Sequence, residues 1–267
     1  MRVAINARVR RRTAAALLTP LCITASITIA HASACWFEPQ GIGRIASAID
    51  IRTLRMSDGA EIRLAGIEPA DTPPSADMIR ALIPVGDIAI HGDSDTPDRY
   101  GRQTGFIFSD IDGRPLQARI LSTGLALASG TLSDRGCAAE LAAAEATARR
   151  AKTGLWSRDG VIKNAAIPGD IQAQLGRFVV VEGRVLSVRE AGSTTYLNFG
   201  RRWTRDFAVS ISRRMIPAFA GAGIVLKSLE GRRIRVRGWV ESRGGPRIEV
   251  RHVGQIEAVG DQVTARD

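Results

Sequence analysis

Apolar residues follow two different patterns along this chain. Short runs that alternate apolar and polar residues, bounded by glycine-rich turns, are typical of β-strands. Such runs cover residues 42–50, 51–57, 60–67, 85–91, 103–109, 178–189, 195–199, 207–211, 232–240 and 246–251. A longer Ala-rich run over residues 134–152 has its apolar residues at helical spacing, and it predicts the longest helix of the chain beyond residue 34.

These runs form two groups of five strands, which predict a mainly β fold with helices (α+β) in two small domains. We place the domains at residues 38–157 and 176–260, with a linker at 158–175 that has few apolar anchors. Shorter helices are predicted at residues 76–83, 115–124 and 215–222. In the second group, one helix separates the third strand from the fourth. This is the order of an OB-fold, a small barrel that commonly binds nucleic acid.

The first 34 residues resemble a targeting segment rather than part of a fold. Five arginines precede a small-residue and apolar run at residues 13–30, and Ala-Ser-Ala at 32–34 is a cleavage signal. The run is short for a membrane span and contains Pro20. We therefore predict a cleaved signal peptide, export to the periplasm or medium, and no stable membrane insertion after cleavage. The alternative is a lipoprotein anchored through Cys35, the residue that follows the signal.

Charge is unevenly distributed once the signal is removed. The formal net charge of +10 falls to +5, because the signal holds five arginines and no acidic residue. Residues 35–176 carry 15 basic and 18 acidic residues, whereas residues 177–267 carry 17 and 9. A polyanion would therefore be attracted to the C-terminal half. The alternative is that these arginines only solvate strand faces.

Two cysteines, Cys35 and Cys137, remain after removal of the signal. In an oxidising compartment they favour a disulfide over free thiols. The bond would close a loop of about 100 residues, which stabilises a chain by roughly 4–5 kcal/mol in the chain-entropy model.

Several motifs occur in a fixed order along the first domain. They are Asp-Ile-Arg-Thr-Leu at 50–54, Glu-Ile-Arg-Leu-Ala-Gly-Ile-Glu at 61–68, Asp-Arg-Tyr-Gly-Arg at 98–102, Leu-Ser-Thr-Gly-Leu-Ala at 121–126 and Lys-Thr-Gly-Leu-Trp at 152–156. In order and spacing, this region of about 115 residues resembles the thermonuclease (staphylococcal nuclease-like) family. The resemblance implies an OB-type barrel with packed helices, and hence two such barrels in tandem. It also implies cleavage of nucleic acid with one calcium ion, two arginines and a few carboxylates.

Arg63 and Arg102 match the two arginines that clamp the phosphate in that family. A guanidinium group donates two parallel hydrogen bonds to a phosphate, which lysine cannot do. The resemblance places Tyr100 beside the site, where its ring would stack against nucleic acid. For Arg63 alone, the alternative is a strand-face arginine paired with Glu61 or Glu68.

The carboxylates depart from the family pattern. The first metal-binding aspartate corresponds to Arg52, the second to Glu68, and the glutamate that activates water to Asp71. Calcium prefers several oxygen ligands with two or more carboxylates, so we expect calcium binding to be weak or absent. Either Arg52 turns away and Asp50, Asp71 or Asp95 substitutes, or Arg52 itself contacts the phosphate as the cation would.

Three functions remain open at this level. The chain is an exported nuclease with an altered metal site, a pseudo-nuclease that binds nucleic acid or another polyanion, or a cell-envelope scaffold. The Arg52 substitution and the negative charge of the first domain move weight from the first function toward the second, but the nuclease remains the leading interpretation. The family resemblance favours both over the third. The sequence indicates no oligomeric state.

Overall fold

The computed structural model describes residues 33–94, 96–109 and 113–260. The chain from Ala32 onward forms one compact unit. The predicted signal peptide, apart from its last two residues, and Asp95 lie outside the described residues. Within the described ranges, no helix has both the length and the apolar character needed to cross a membrane.

The described residues form the predicted longer strands and helices together with five short elements that the sequence pattern did not predict. The N-terminal elements are β1 Pro39–Asp50, β2 Thr53–Met56, β3 Glu61–Leu64, β4 Ile67–Glu68, α1 Ala76–Arg80, β5 Asp87–His91, β6 Gln103–Phe108, α2 Leu116–Ser122, β7 Leu127–Ala128 and α3 Arg135–Ala151. The C-terminal elements are β8 Ile162–Asn164, α4 Pro168–Gln172, β9 Phe178–Arg184, β10 Ser187–Ala191, β11 Thr194–Asn198, β12 Ala208–Ser212, α5 Ile216–Gly221, β13 Arg233–Arg243, β14 Gly245–Val250 and β15 Ile256–Ala258. The five short elements that were not predicted are β4, β7, β8, α4 and β15. Short 3₁₀ helices occupy Gly154–Ser157, Arg213–Met215, Leu226–Leu229 and Val253–Gln255.

The first sheet is a closed barrel with the strand order β1-β2-β3-β6-β5. The long strand β1 closes it, because its first half pairs with β5 and its second half with β2. Only β3 and β6 run parallel in this barrel. The alternating apolar residues, among them Leu54, Ile62 and Ile107, are fully buried inside it. Each such side chain contributes roughly 1.5–3 kcal/mol on burial.

Helix α3 is the long helix that the sequence predicts, and both of its ends are capped. The Asp134 carboxylate accepts a hydrogen bond from the backbone N–H of Cys137, and Lys152 ends the helix in the left-handed conformation with φ 52°. Its buried face carries Leu141, Ala144 and Ala148, at the predicted helical spacing. This face packs the helix onto the first barrel beside α2.

The second sheet has the strand order β10-β11-β12-β14-β13-β9-β8, and β15 also pairs with β13. Strands β9 and β10 are separated by only two residues, so together they play the part of β1 in the first sheet. Counted in this way, both sheets pair their strands in the order one, two, three, five, four. In both, a helix separates strands three and four, and strands three and five run parallel. The fold is therefore mainly β with helices, as predicted.

The segment predicted as a linker contributes to the second sheet. Residues 158–175 contain β8 and α4, and β8 pairs in parallel with β9. Ala165 and Ile171 are buried in the second core. The segment is held because β8 completes the backbone hydrogen bonds along one edge of β9.

A buried ion pair joins the two sheets. The Arg237 guanidinium on β13 donates hydrogen bonds to both carboxylate oxygens of Glu145 on α3 and to the backbone oxygen of Ala128. The same carboxylate accepts the backbone N–H of Ala128. Arg237 is 4% exposed and Glu145 is 1% exposed. The charges are therefore satisfied by each other and by backbone rather than by water.

The predicted disulfide between Cys35 and Cys137 is present, and both cysteines are fully buried. It attaches the segment before β1 to the first turn of α3. The bond is consistent with an oxidising compartment such as the periplasm or the extracellular medium.

Candidate functional site

Three candidate side chains come together at one end of the first barrel. Arg52 lies in the turn between β1 and β2, and its backbone N–H is held by the Asp50 carboxylate at 2.8 Å. Arg63 lies on β3, paired with Thr53 on the next strand. Glu68 ends β4, which pairs with β7. The tight β1–β2 turn and the short β4 strand therefore place these residues close together.

Glu68 is bound by two arginines. The Arg52 Nη1 donates a short hydrogen bond to Glu68 Oε2, and Arg63 Nη2 lies 3.7 Å from Glu68 Oε1. All three side chains are largely buried. Arg52 therefore points toward Glu68, and its guanidinium occupies the space in front of the carboxylate that the sequence analysis names as a candidate metal ligand.

The local environment changes the titration of this group. Burial raises the pKa of Glu68, and the neighbouring Arg52 and Arg63 only partly oppose this effect. Burial also lowers the pKa of Arg63, and the positive charge of Arg52 adds to the effect. Crowding of positive charge around a half-buried guanidinium favours the approach of an anion.

Arg102 is held by the loop that contains it. Its Nε and Nη2 both donate to Asp98 Oδ2, at 3.0 and 2.8 Å. Asp98 Oδ1 accepts the backbone N–H groups of Tyr100 and Arg102. The side-chain hydrogen bond from Arg102 is the main cause that lowers the pKa of Asp98 to about 2. Gly101, at φ 77°, supplies the left-handed turn that closes the loop.

Tyr100 stands beside this pair with its ring 68% exposed. The guanidinium carbons of Arg99 and Arg102 lie 5.1 and 5.0 Å from the ring centre, within cation–π range. An exposed ring between two arginines is a surface on which a nucleobase can stack.

The two ion pairs influence the same arginine. Arg102 immediately precedes β6, whose Thr104 pairs with Arg63 on β3. The charges of Arg102 and Asp98 both act on the pKa of Arg63. We refer to Arg52, Arg63 and Arg102 as the arginine cluster. Against the carboxylates of Glu68 and Asp98, the cluster has one positive charge in excess.

Asp71, the candidate for water activation, lies apart from these contacts. Its side chain is exposed, and one of its oxygens is 3.9 Å from Arg158 Nη2. Arg158 also donates to the Thr72 hydroxyl. In the described residues, Asp71 therefore makes its ion pair with the end of the first domain rather than with the arginine cluster.

The residues at this position do not fit a calcium site. Glu68 is occupied by two guanidinium groups, and Asp50 holds the backbone of the Arg52 turn. Across the part of the chain that the structure describes, no group of three or more His, Cys, Asp or Glu side chains is arranged to hold a metal ion. Calcium needs several oxygen ligands, and here the nearest carboxylate is already neutralised.

Sequence reasoning missed the role of Asp98. It was part of the recognised motif, but its pairing with Arg102 was not predicted. The signal is the spacing of four residues around Gly101, which allows a carboxylate to reach the guanidinium across a tight turn. The pairing of Arg52 with Glu68 was left open by the sequence, because it depends on where β4 lies.

Comparison with known proteins bears on part of this site. Residues 71–158 match the family model described as staphylococcal nuclease homologue. The matched segment contains Asp71 and Arg102, whereas Arg52, Arg63 and Glu68 precede it. No curated protein matches the chain. The match therefore covers α1, β5, β6, α2, β7 and α3 of the first half of the fold, but neither β1–β4 nor the second sheet.

Proposed function

We propose that this protein is an exported, thermonuclease-like nucleic-acid-binding protein in which an arginine replaces the metal ion. The observation that carries the proposal is the ion pair between Arg52 and Glu68. A metal-dependent nuclease needs this carboxylate free to bind a cation, whereas here it orients a guanidinium group.

The arginine cluster has the chemistry to bind a phosphodiester. Guanidinium groups bind phosphate oxygens through two parallel hydrogen bonds, and partial burial strengthens each contact. Arg63 supports this role most directly, because its ion-pair contact among the described residues is a single oxygen of Glu68, as far away as 3.7 Å. The exposed ring of Tyr100 adds a stacking surface next to the cluster.

The same cluster disfavours calcium. At an effective dielectric constant of about 20, a guanidinium about 4 Å from a divalent cation is disfavoured by roughly 8 kcal/mol. The loss of one carboxylate ligand adds to this cost. On this proposal the positive charge that the family takes from a metal comes from Arg52.

Both sheets are OB-type barrels on this proposal. The support is the common order of strand pairing, with a helix between the third and fourth strands in each. Small barrels of this order commonly bind nucleic acid on one face. Export is supported by the Cys35–Cys137 disulfide and by the signal-like first 34 residues.

The second candidate is slow phosphodiester hydrolysis at the same site. The observation that favours it is Glu68, whose pKa is raised by burial beside Arg63. A carboxyl group with a raised pKa is suited to proton transfer nearer neutral pH. Asp71 would not contribute, since it pairs with Arg158.

The test compares binding and cleavage of labelled DNA and RNA, with calcium and with chelator. We expect the wild type to bind without calcium-dependent cleavage, and Arg63→Ala to weaken binding. Arg52→Asp should weaken nucleic-acid binding and raise calcium affinity, measured by titration calorimetry. Arg55→Ala is the matched control, because Arg55 forms an exposed ion pair with Glu61 on the neighbouring strands. Cleavage by the wild type that is lost in Arg102→Ala would instead establish the second candidate.

A further inference from the structure

A separate groove of about 750 Å³ lies on the outer surface of the second sheet. Its walls include Arg189, Tyr196, Arg201, Trp203, Arg243 and Arg247. None of these residues belongs to the arginine cluster or to the segment that matches the nuclease family.

The register of the strands explains why polar residues line this groove. Arg189 on β10 pairs with Tyr196 on β11, and Ala208 on β12 pairs with Arg247 on β14. The residues between them, such as Val188 and Leu197, are buried in the core. Because successive side chains of a strand point to opposite faces, the polar residues of these strands lie on the outer surface of the sheet.

The loop that carries Trp203 is held in a fixed shape. The Asp206 carboxylate accepts the backbone N–H of Arg202 at 2.7 Å, and the Asp206 N–H donates to the Arg202 oxygen. A Cβ at position 200 would lie 2.1 Å from this carboxylate, so glycine is the residue that fits there. The loop thus presents the Trp203 ring 74% exposed, beside the β13–β14 turn at Gly244. This tryptophan side chain does not pack in the core, and its apolar surface is available to a ligand.

Positive charge in the groove is not neutralised locally. Among the described residues, Arg189, Arg201 and Arg243 have no carboxylate within ion-pair distance. Arg247 is largely buried, and its Nε is a buried donor without an acceptor, although its Nη2 lies 3.5 Å from Glu241.

The acidic residues of the groove are already engaged. Asp206 caps its own loop, and Glu230 binds Lys227 and the Val188 N–H.

We infer that this groove binds single-stranded nucleic acid, with a base stacked on Trp203 and phosphates bound by the surrounding arginines. Four arginines around an exposed tryptophan match the alternation of charge and base along a single strand. A duplex would offer phosphates but no base face, so Trp203 would contribute nothing to its binding. The inference rests on the proposed function, which is nucleic-acid binding, and adds a second binding site that is separate from the arginine cluster.

The test is equilibrium binding of a labelled oligothymidylate of about 15 nucleotides, the upper range for one small barrel. Trp203→Ala should weaken binding at least about fivefold, since stacking of one base contributes on the order of 1–3 kcal/mol. Trp203→Phe should retain most of the affinity. Arg201→Ala and Arg243→Ala should each reduce the slope of log affinity against log salt by about 0.7.

Arg214→Ala is the matched control, since Arg214 is also exposed, in the 3₁₀ helix that follows β12, but does not line the groove. It should change the affinity less than Arg201→Ala. The inference is overturned if Trp203→Ala weakens the binding of duplex and single-stranded DNA equally. It is also overturned if a sulfated polysaccharide displaces the oligothymidylate from the wild type and from Trp203→Ala equally well.

The two sites are distinguished by exchanging the variants. If Arg63→Ala abolishes oligothymidylate binding and Trp203→Ala does not, the groove is overturned and the proposed function stands. If Trp203→Ala abolishes it and Arg63→Ala has no effect, the groove stands and the role of the arginine cluster fails. A wild type that binds no oligonucleotide at low salt overturns both.

Discussion

The ion pair between Glu145 and Arg237 should contribute strongly to stability, because both charges are removed from water. We expect Glu145→Ala to lower the free energy of unfolding by about 3–5 kcal/mol, the usual cost of leaving one buried charge unpaired. The backbone N–H of Ala128 would lose its acceptor as well, which costs about 1–3 kcal/mol on its own. Among the described residues, the other carboxylate in ion-pair contact with Arg237 is that of Glu257, 3.6 Å away and 42% exposed.

Arg237→Met should be less destabilising than Glu145→Ala. After the arginine is removed, Glu145 still accepts the Ala128 N–H and lies 3.6 Å from Arg149. The double variant Glu145→Leu with Arg237→Met should be less destabilised than the sum of the single variants, because no charge remains buried without a partner.

Urea denaturation of the disulfide-intact protein, followed by tryptophan fluorescence and circular dichroism, measures these differences. In a chain of this size each 1 kcal/mol lowers the melting temperature by roughly 2–4 °C, so Glu145→Ala should melt at least about 6 °C lower. Arg251→Ala is the control, since its pair with Glu249 is exposed and exposed pairs contribute about 0–1 kcal/mol. The reasoning is refuted if Glu145→Ala costs no more than Arg251→Ala.

Two further predictions concern the disulfide and the Asp98 loop. Replacement of Cys35 and Cys137 by serine should lower the free energy of unfolding by about 4–5 kcal/mol, since the bond closes a loop with a sequence separation of 102; an unchanged urea midpoint would contradict this. The Asp98 pKa of about 2 lies below its ordinary value of 3.8, so its stabilisation is present above pH 4 and is lost as the pH falls toward 2. Asp98→Asn should remove this part of the acid sensitivity. If NMR shows that the Asp98 carboxyl of the folded protein titrates near pH 4, Arg102 does not lower its pKa.

The longer strands could be predicted because apolar and polar residues alternate along them, and this alternation corresponds to buried and exposed side chains. Val188 and Leu197 point inward while their neighbours point outward, and this pattern is visible in the sequence alone. Strand β8 has only three residues, too few for alternation to show. It is a strand because β9 lies beside it, and that neighbour is set by the tertiary fold.

The sequence motifs named several residues that lie together but not their pairings, and they also named Asp71, which pairs with Arg158 instead. The motif order selected Arg63, Arg102 and Glu68, yet the direction of the Arg52 side chain depends on β4 pairing with β7. Glu145 shows the same limit. Its helical spacing placed it on the buried face of α3, but its partner lies 92 residues further along the chain.

The two sheets share one order of strand pairing but differ in the length of the connection between their fourth and fifth strands. In the first barrel the chain reaches the fifth strand through residues 92–102, whereas in the second sheet only Gly244 joins β13 to β14. The connection in the first barrel ends at Arg102, and the connection in the second sheet begins after Arg243. Each of these arginines belongs to a candidate ligand surface. The same scaffold thus accepts a long and a minimal connection at one position without a change in its pairing. For protein engineering, this makes the passage into the fifth strand the natural place to graft a new recognition loop, because the core of either sheet does not depend on its length.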